Sequence, residues 1–171
     1  MQVSIIASVS KNNYISKNGV LAINSVAYME FFKRMTIGNI VIMGRKTCES
    51  IEENYLSNRE NFVVTHNVNN VPDHPELMPV NSLEEALFYS RQIEGSGPTD
   101  LDIFIIGGAE IYKQALESDV VDTMYLAVYE REVYGELSFP YYDDSKYNIV
   151  DIENHDKDGF KIYTLKRNEK E

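Results

Sequence analysis

The segments Ile42-Met43-Gly44-Arg45-Lys46-Thr47 and Ile105-Ile106-Gly107-Gly108-Ala109-Glu110-Ile111-Tyr112 are the most informative part of this chain of 171 residues. Each begins as an apolar run, reaches glycine and continues in a helix-like pattern. A turn from a strand into a helix leaves backbone N–H groups unpaired where the helix dipole favours negative charge. Two such turns, the first with two bases attached, predict a ligand rich in phosphate. A dinucleotide with a pyrophosphate group fits this description best.

The first of these turns carries side chains that suit a phosphate group. Arginine offers a planar fork, lysine a point charge and threonine a hydroxyl, and the three follow Gly44 in that order. Thr65-His66 follows another apolar run and is expected on the same rim, although a lone surface histidine is often incidental. Each turn by itself is also compatible with a structural glycine. The three-glycine spacing of the Rossmann fingerprint is absent, so that fold is not predicted.

Composition restricts the kinds of partner that the chain can have. The net charge of −11 argues against nucleic acid and anionic membrane surfaces, so an anionic ligand requires a local cluster of bases. Cys48 is the only cysteine, which excludes an internal disulfide and suits a reducing cytoplasm. No apolar run approaches the roughly 20 residues of a membrane span, and no secretory signal opens the chain. We therefore expect a cytoplasmic protein, monomeric and without a metal site.

Hydrophobic patterning predicts an alternation of strands and helices, followed by strands alone. Predicted strands cover residues 3–9, 39–43, 62–65, 102–106, 124–129, 146–152 and 160–165. Predicted helices cover residues 26–35, 45–51, 83–90 and 109–116, the third after a capping box that begins at Ser82. Residues 10–24 are expected to form a polar loop with a turn at Asn18-Gly19, Gly95 to Pro98 a flexible loop, and Lys166 to Glu171 a frayed end. The pattern predicts one α/β domain over residues 1–171, with a mostly parallel sheet and an antiparallel C-terminal edge.

At this point the residues match a known family. Val41 to Ile51 resembles the segment of dihydrofolate reductase that holds the cofactor phosphates, and Phe104 to Tyr112 resembles its second cofactor segment. The resemblance continues in chain order over nearly the whole sequence. It includes Ile5 to Ser8 (first strand), Phe32 to Thr36 (end of the substrate helix), Leu56 to Arg59 (folate-tail loop), Met124 to Leu126 and Gly135 to Pro140 (later strands).

The resemblance implies an NADPH-dependent reductase in which hydride passes from the nicotinamide C4 to C6 of a dihydropterin. It assigns the phosphates, including the 2′-phosphate, to Gly44, Arg45, Lys46, Thr47, Thr65 and His66, and the pyrophosphate to Gly107, Gly108, Ala109, Glu110 and Ile111. It assigns the nicotinamide side to Ala7, Ser8 and Ile15, and the pterin and benzoyl slot to Ile6, Met29, Phe32, Ile51, Leu56 and Ile106. Ala7 and Tyr112 are expected to contact both ligands. Arg59 is expected to pair with the glutamate carboxylate of folate.

Departures from the family pattern concentrate where the family delivers a proton. Tyr28 stands at the position of the usual carboxylate, and the nearest acid, Glu30, is two helical residues on and therefore points elsewhere. The threonine that normally orients the acid is Ala127. The loop's Pro-Trp pair is Ala22-Ile23. Tyr28 is interpreted either as a hydrogen-bond donor to the pterin or to a water, or as a side chain that fills the vacated space.

Three functions remain open from the sequence. The first is reduction of dihydrofolate with altered proton delivery. The second is an NADPH reductase of the same fold that acts on another heterocycle, such as the ribosylaminopyrimidine of riboflavin synthesis. The third is a non-catalytic protein that binds NADP or a pterin. The presence of Arg59 and Phe32 favours folate over the second candidate.

Overall fold

The computed structural model describes residues 1–17, 20–51, 56–93 and 101–169. The strands are β1 (Val3–Val9), β2 (Tyr14–Lys17), β3 (Val20–Leu21), β4 (Ile40–Gly44), β5 (Glu60–Val64), β6 (Leu77–Val80), β7 (Ile103–Gly107), β8 (Thr123–Tyr129), β9 (Leu137–Ser138), β10 (Tyr147–His155) and β11 (Phe160–Arg167). The helices are α1 (Val26–Thr36), α2 (Arg45–Ser50), α3 (Leu83–Ser90) and α4 (Ala109–Glu117). None of the helices in the described ranges is long and apolar enough to cross a membrane.

Eight strands form one sheet in the order β10-β11-β8-β1-β7-β4-β5-β6. The strands from β8 to β6 pair in parallel, whereas β11 runs antiparallel to β8 and β10 antiparallel to β11. Every residue of β1 is buried, as expected for a parallel strand that is covered on both faces. The predicted fold class, a mostly parallel sheet with an antiparallel C-terminal edge, is confirmed.

Side-chain alternation along β1 divides the core between the two faces of the sheet. Ile5, Ala7 and Val9 pack on one face in a cluster with α3 and α4. Ile6 packs on the other face in a cluster with α1, β8 and β11. Because neighbouring side chains of a strand point to opposite faces, Ala7 is directed away from the face that α1 covers.

The predicted polar loop over residues 10–24 is wrong in part, because it contains β2 and β3. These two strands and β9 form a second, three-stranded sheet, in which Tyr14 pairs with Ser138. The pairing partner is distant in the chain, so the local pattern gave no signal for it. β6 was also missed, since its Pro79 argues against a strand except at a sheet edge, which is where β6 lies.

Two serines begin the helices that the sequence pattern placed best. Ser25 accepts a hydrogen bond from the backbone N–H of Tyr28 (3.2 Å), and Ser82 accepts one from that of Glu85 (3.0 Å). The Glu85 carboxylate reaches back to the N–H of Asn81 (2.6 Å), which confirms the predicted capping box. The predicted turn at Asn18-Gly19 and the loop from Gly95 to Pro98 lie outside the described residues.

Candidate active site

The two glycine turns lie side by side at the carboxyl ends of β4 and β7. These strands pair in parallel, with Ile42 opposite Ile105 and Met43 opposite Gly107. Gly44 then begins α2 and Gly108 begins α4, and neither glycine supplies a side-chain cap. The first N–H groups of both helices are therefore unpaired within the helices and lie beside each other at the ends of neighbouring strands. This arrangement suits an anion.

Close packing explains why these turns require glycine. Gly107 has a φ of +113°, and a Cβ there would lie 3.0 Å from the Tyr112 hydroxyl. A Cβ on Gly44 would lie 3.1 Å from a side-chain carbon of Ile111. A Cβ on Gly108 would lie 3.7 Å from the Thr47 hydroxyl, so the second turn packs against the helix that follows the first. The peptide bond between Gly107 and Gly108 is cis.

The basic side chains of the first turn lie at the surface around this rim. Arg45 is half-buried and forms an ion pair with Glu49 one turn along α2, and Lys46 is exposed. His66 is exposed just beyond β5, the strand beside β4. Thr65 is buried, and its hydroxyl donates to the Asn67 carbonyl (3.1 Å) and accepts from the Asn67 N–H (3.2 Å). The Thr65 hydroxyl therefore holds the turn that presents His66.

A cavity of about 750 Å³, partly open to solvent, lies between α1, the glycine turns and the β2–β3 hairpin. Eleven predicted site residues line it: Ser8, Ile15, Tyr28, Met29, Phe32, Thr47, Ile51, Leu56, Ile106, Gly108 and Tyr112. Four residues that sequence reasoning missed also line it: Ser16, Val20, Leu21 and Ser50. Three of these four lie in the hairpin that was predicted as a loop.

The remaining predicted residues do not line this cavity. They are Ile6, Ala7, Gly44, Arg45, Lys46, Arg59, Thr65, His66, Gly107, Ala109, Glu110 and Ile111. Strand alternation directs the Ala7 side chain to the opposite face, so any contact of Ala7 with the ligands would be made by its backbone. Glu110 is exposed in the first turn of α4, and its carboxylate accepts a hydrogen bond from Gln114 (3.2 Å).

Arg59 is fixed at the C-terminal end of the helix that lines the cavity. Its Nε donates to the Thr36 hydroxyl (2.9 Å) and its Nη1 to the Ser57 carbonyl (2.8 Å). Partial burial lowers the pKa of Arg59. Nη2 and the second Nη1 hydrogen make no hydrogen bond to the described part of the chain, so the outer edge of the guanidinium can accept an anion.

Tyr28 lies in the cavity wall, at the position where the family pattern has a carboxylate. Its side chain is 4% exposed and contacts Phe32, with the ring centroids 6.4 Å apart. Burial, and secondarily Tyr129, raises the pKa of Tyr28, so its hydroxyl stays protonated across the physiological range. None of the cavity-lining residues that the structure describes is Asp or Glu. Glu30 is exposed on an outer groove of α1, as the helical spacing predicted.

Tyr112 and Ala127 complete the surroundings of the cavity. The Tyr112 hydroxyl lies 2.8 Å from both the Ile6 and the Ile106 carbonyl oxygens, and so connects the middle of β1 to the end of β7. Burial, followed by the influence of Tyr28, raises the pKa of Tyr112. Ala127 is fully buried in the same core cluster as Tyr28, where it provides no hydroxyl.

Three further hydroxyls lie near Tyr28, and two of them were missed in the sequence. Ser25 Oγ lies 2.6 Å from the Tyr129 hydroxyl, and Ser8 donates to the Ile23 carbonyl (3.4 Å). A serine directly before a predicted helix is an N-cap signal that would have drawn attention to Ser25. Nothing in the local pattern around Tyr129 distinguishes it from a core aromatic residue.

Comparisons with known proteins agree with this geometry. A sequence model of the family described as "Dihydrofolate reductase" matches residues 2–170. The dihydrofolate reductase of Schistosoma mansoni is 34% identical over 169 residues, covering 94% of this chain and 89% of the relative. That of Bacillus subtilis is 34% identical over 158 residues, covering 91% and 86%. The solved structure of dihydrofolate reductase from Enterococcus faecalis, complexed with NADP(H) and RAB-propyl, superposes with a TM-score of 0.80 at 25% identity, covering 98% of this chain and 97% of that one.

Proposed function

Because this chain belongs to the dihydrofolate reductase family, we propose that it catalyses the NADPH-dependent reduction of dihydrofolate to tetrahydrofolate, with no carboxylate among the described residues that line the cavity. The observation that carries the proposal is the meeting of two uncapped helix starts beside one apolar cavity, with Arg59 at the far end of the same helix. These elements suit an anionic dinucleotide, a flat heterocycle and a carboxylate tail. When bound, NADPH supplies the hydride that reduces the pterin.

The glycine turns and the bases around them are proposed to hold the cofactor. Gly44 and Gly107 allow the two turns to pack against Ile111 and Tyr112, where a Cβ would collide, and this packing keeps the first N–H groups of α2 and α4 side by side for phosphate oxygens. Arg45 and Lys46 lie within reach of solvent, where they can pair with the 2′-phosphate. His66 contributes from the neighbouring strand end. The roles of Thr47, Ala109, Glu110 and Ile111 follow from the same placement, and Ser8 and Ile15 border the nicotinamide side.

The apolar wall of the cavity is proposed to bind the substrate. Met29, Phe32, Ile51, Leu56 and Ile106 present flat and aliphatic surface to the pterin and benzoyl groups. The free edge of the Arg59 guanidinium pairs with the glutamate tail, and its attachment to Thr36 orients it in advance. Tyr112 positions the two backbone carbonyls between the ligands.

Proton delivery is proposed to come from water rather than from a carboxylate. Tyr28 is neutral and is therefore a hydrogen-bond donor that orients the pterin or a water molecule, not a base. None of the described cavity-lining residues is a carboxylate that could supply protons locally, so protonation of the substrate nitrogen is expected to depend on the acidity of the solvent. We therefore expect the rate of reduction to rise continuously as the pH falls from 8 towards 6, with no plateau from an enzyme carboxylate.

The test is a spectrophotometric assay with NADPH and dihydrofolate at several pH values, together with calorimetric titration of NADPH. Consumption of both substrates supports the proposal. Binding of NADPH without turnover would contradict it and favour a non-catalytic binding protein. Arg45→Ala is expected to weaken NADPH binding more than NADH binding, because NADH lacks the 2′-phosphate.

We also propose that the chain acts as a monomeric single domain in the cytoplasm. Its exposed edge strand β10 carries a bulge between Ile149 and Asp151, together with two acids, features that disfavour pairing with another edge. Cys48 is buried, and the net charge of −11 disfavours nucleic acid. Light scattering after gel filtration tests the monomer.

A further inference from the structure

A second cleft lies on the other side of the wall behind Tyr28. It opens at the surface between residues 23–25, residues 129–131 and the turn at Asp158-Gly159. Ser25 and Tyr129 line this surface cleft, whereas Ser8 lines the catalytic cavity. The hydroxyls of these three residues therefore occupy the wall between solvent and the place of reaction.

Ser25 and Tyr129 are directly connected. Their hydroxyl oxygens are 2.6 Å apart, at the short end of the range for such hydrogen bonds. Ser25 Oγ also accepts the N–H of Tyr28 (3.2 Å), so the start of α1 fixes its position. The N-cap function of Ser25 is satisfied by that contact alone and does not require Tyr129.

Ser8 lies next to Tyr129 on the same face of the sheet. Ser8 pairs with Ala127 across the parallel strands β1 and β8, and Tyr129 is two residues further along β8. Diagonal neighbours of this kind are within reach of a long aromatic side chain. Burial raises the pKa of Tyr129, while the Ser25 and Ser8 hydroxyls act in the opposite direction, which agrees with the position of Ser8 beside it. The Ser8 hydroxyl donates to the Ile23 carbonyl, with 3.4 Å between the two oxygens. This hydrogen bond is long and therefore weak, so it is easily broken.

We propose that Ser25, Tyr129 and Ser8 form a hydroxyl chain that conducts protons from the surface cleft to the catalytic cavity. This inference rests on the proposed reduction of dihydrofolate. Ser25 takes a proton from hydronium or a buffer acid in the cleft as it passes its own to Tyr129. Tyr129 passes its proton to Ser8, and Ser8 passes one to the substrate nitrogen or to a water bound to it. Each hydroxyl gives one proton and gains one, so none is left charged.

The charged groups around the cleft suit its role as the entrance of the chain. Glu130 and Asp158 contribute carboxylates at the lining, and Arg131 contributes one positive charge. The two carboxylates favour the arrival of a proton, and Arg131 partly opposes them. The hydroxyl chain would supply the proton that the family's carboxylate helps to deliver. Its serine and tyrosine side chains remain protonated at neutral pH.

Tyr129→Phe tests the chain with little change in packing. It removes one hydroxyl and keeps the ring that packs on Phe160 with centroids 4.8 Å apart. Single-turnover reduction is measured in mixtures of H2O and D2O at saturating NADPH. A plot of the wild-type rate against the deuterium fraction should be curved, because several protons move in the same step. In Tyr129→Phe the dependence should become linear and the rate should fall about tenfold, part of what general acid assistance supplies.

Ser8→Ala is the second variant, and Tyr147→Phe is the matched control. Ser8→Ala should reproduce both changes. Tyr147 is another buried tyrosine whose hydroxyl is hydrogen-bonded (3.1 Å to the Val121 carbonyl), far from both clefts, so its variant should behave as wild type. A cooperative thermal unfolding transition, followed by circular dichroism, shows that each variant is folded. If the rate of Tyr129→Phe stays within twofold of wild type and still depends on the deuterium fraction along a curve, the hydroxyl chain is overturned and the proposed function is not. A wild-type protein that consumes no NADPH with dihydrofolate would overturn the proposed function and the chain with it.

Discussion

Restoring a carboxylate at Tyr28 is the most direct test of how this cavity works. The double variant Tyr28→Asp with Ala127→Thr places an acid in the first turn of α1 and a hydroxyl on β8, within one core cluster. The helix dipole favours an anion in this first turn. The volume that the tyrosine ring vacates makes room for the two atoms that threonine adds at the fully buried Ala127.

Opposing effects set the size of the expected change. General acid–base assistance is typically worth about 10²–10⁴ in rate, which corresponds to roughly 3–5 kcal/mol. Burial acts against this gain, because the position is 4% exposed and desolvation raises the pKa of a carboxyl there. A raised pKa nevertheless keeps part of the population protonated near neutral pH, as a proton donor requires. We expect kcat/KM for dihydrofolate to rise at least about tenfold at pH 7. Loss of the ring lowers stability by less than the about 3–5 kcal/mol of a fully enclosed aromatic, since it lines an open cavity.

The assay compares kcat/KM of wild type and the double variant between pH 5 and 9, with NADPH affinity and thermal unfolding measured in parallel. Glu30→Gln is the matched control, because it removes an exposed carboxylate two residues away and should change the rate by less than twofold. The pH profile of the double variant should show a new titration. A folded double variant with intact NADPH affinity and a flat or lower rate would refute the assignment of position 28 to the acid.

Three further predictions concern other parts of the molecule. Arg59→Gln should raise the KM for dihydrofolate about 10- to 100-fold, because it removes a charged hydrogen-bonded pair. The KM for dihydropteroate, which has no glutamate, should stay within twofold. Equal effects on the two KM values would contradict the contact with the glutamate tail. Gly107 has a φ of +113°, so Gly107→Ala should lower the free energy of unfolding by about 1–3 kcal/mol and weaken NADPH binding. The control is Gly38→Ala, at a φ of +75° with open space around the added Cβ. It should leave the NADPH affinity measured by calorimetry unchanged. Hydrogen bonding from Arg167 lowers the pKa of Asp119, so this contribution to stability is present above the ordinary carboxyl value of 3.8 and is lost as the pH falls below it. Asp119→Asn, which tolerates the positive φ of 57° there, should lower the Tm more at pH 7 than at pH 2.5; an equal loss at both would show that the pair does not act through charge.

The parts of the site that the sequence predicted are those that depend on neighbouring residues. The glycine turns, Arg45 to Thr47 and the α1 positions Met29 and Phe32 follow from strand-to-helix punctuation and from helical spacing. Of these residues, Thr47, Gly108, Met29 and Phe32 line the cavity. The predicted direction of Glu30 was confirmed for the same reason. The small sheet over the cavity was missed, because β2 pairs with β9 from more than a hundred residues away.

What the sequence determined by itself was the order of the helices and of the strands other than β2, β3, β6 and β9, the two phosphate-suited turns and the absence of an acid at position 28. Those properties are set by residue type and local period. Three features were decided only by the tertiary structure. Val20 and Leu21 line the cavity, the Thr65 hydroxyl forms a hydrogen bond with the Asn67 backbone, and the Ser25 hydroxyl forms one with the Tyr129 hydroxyl. Each of these depends on which distant segments the sheet register places side by side, a choice made by packing of the whole chain rather than by any short stretch of it.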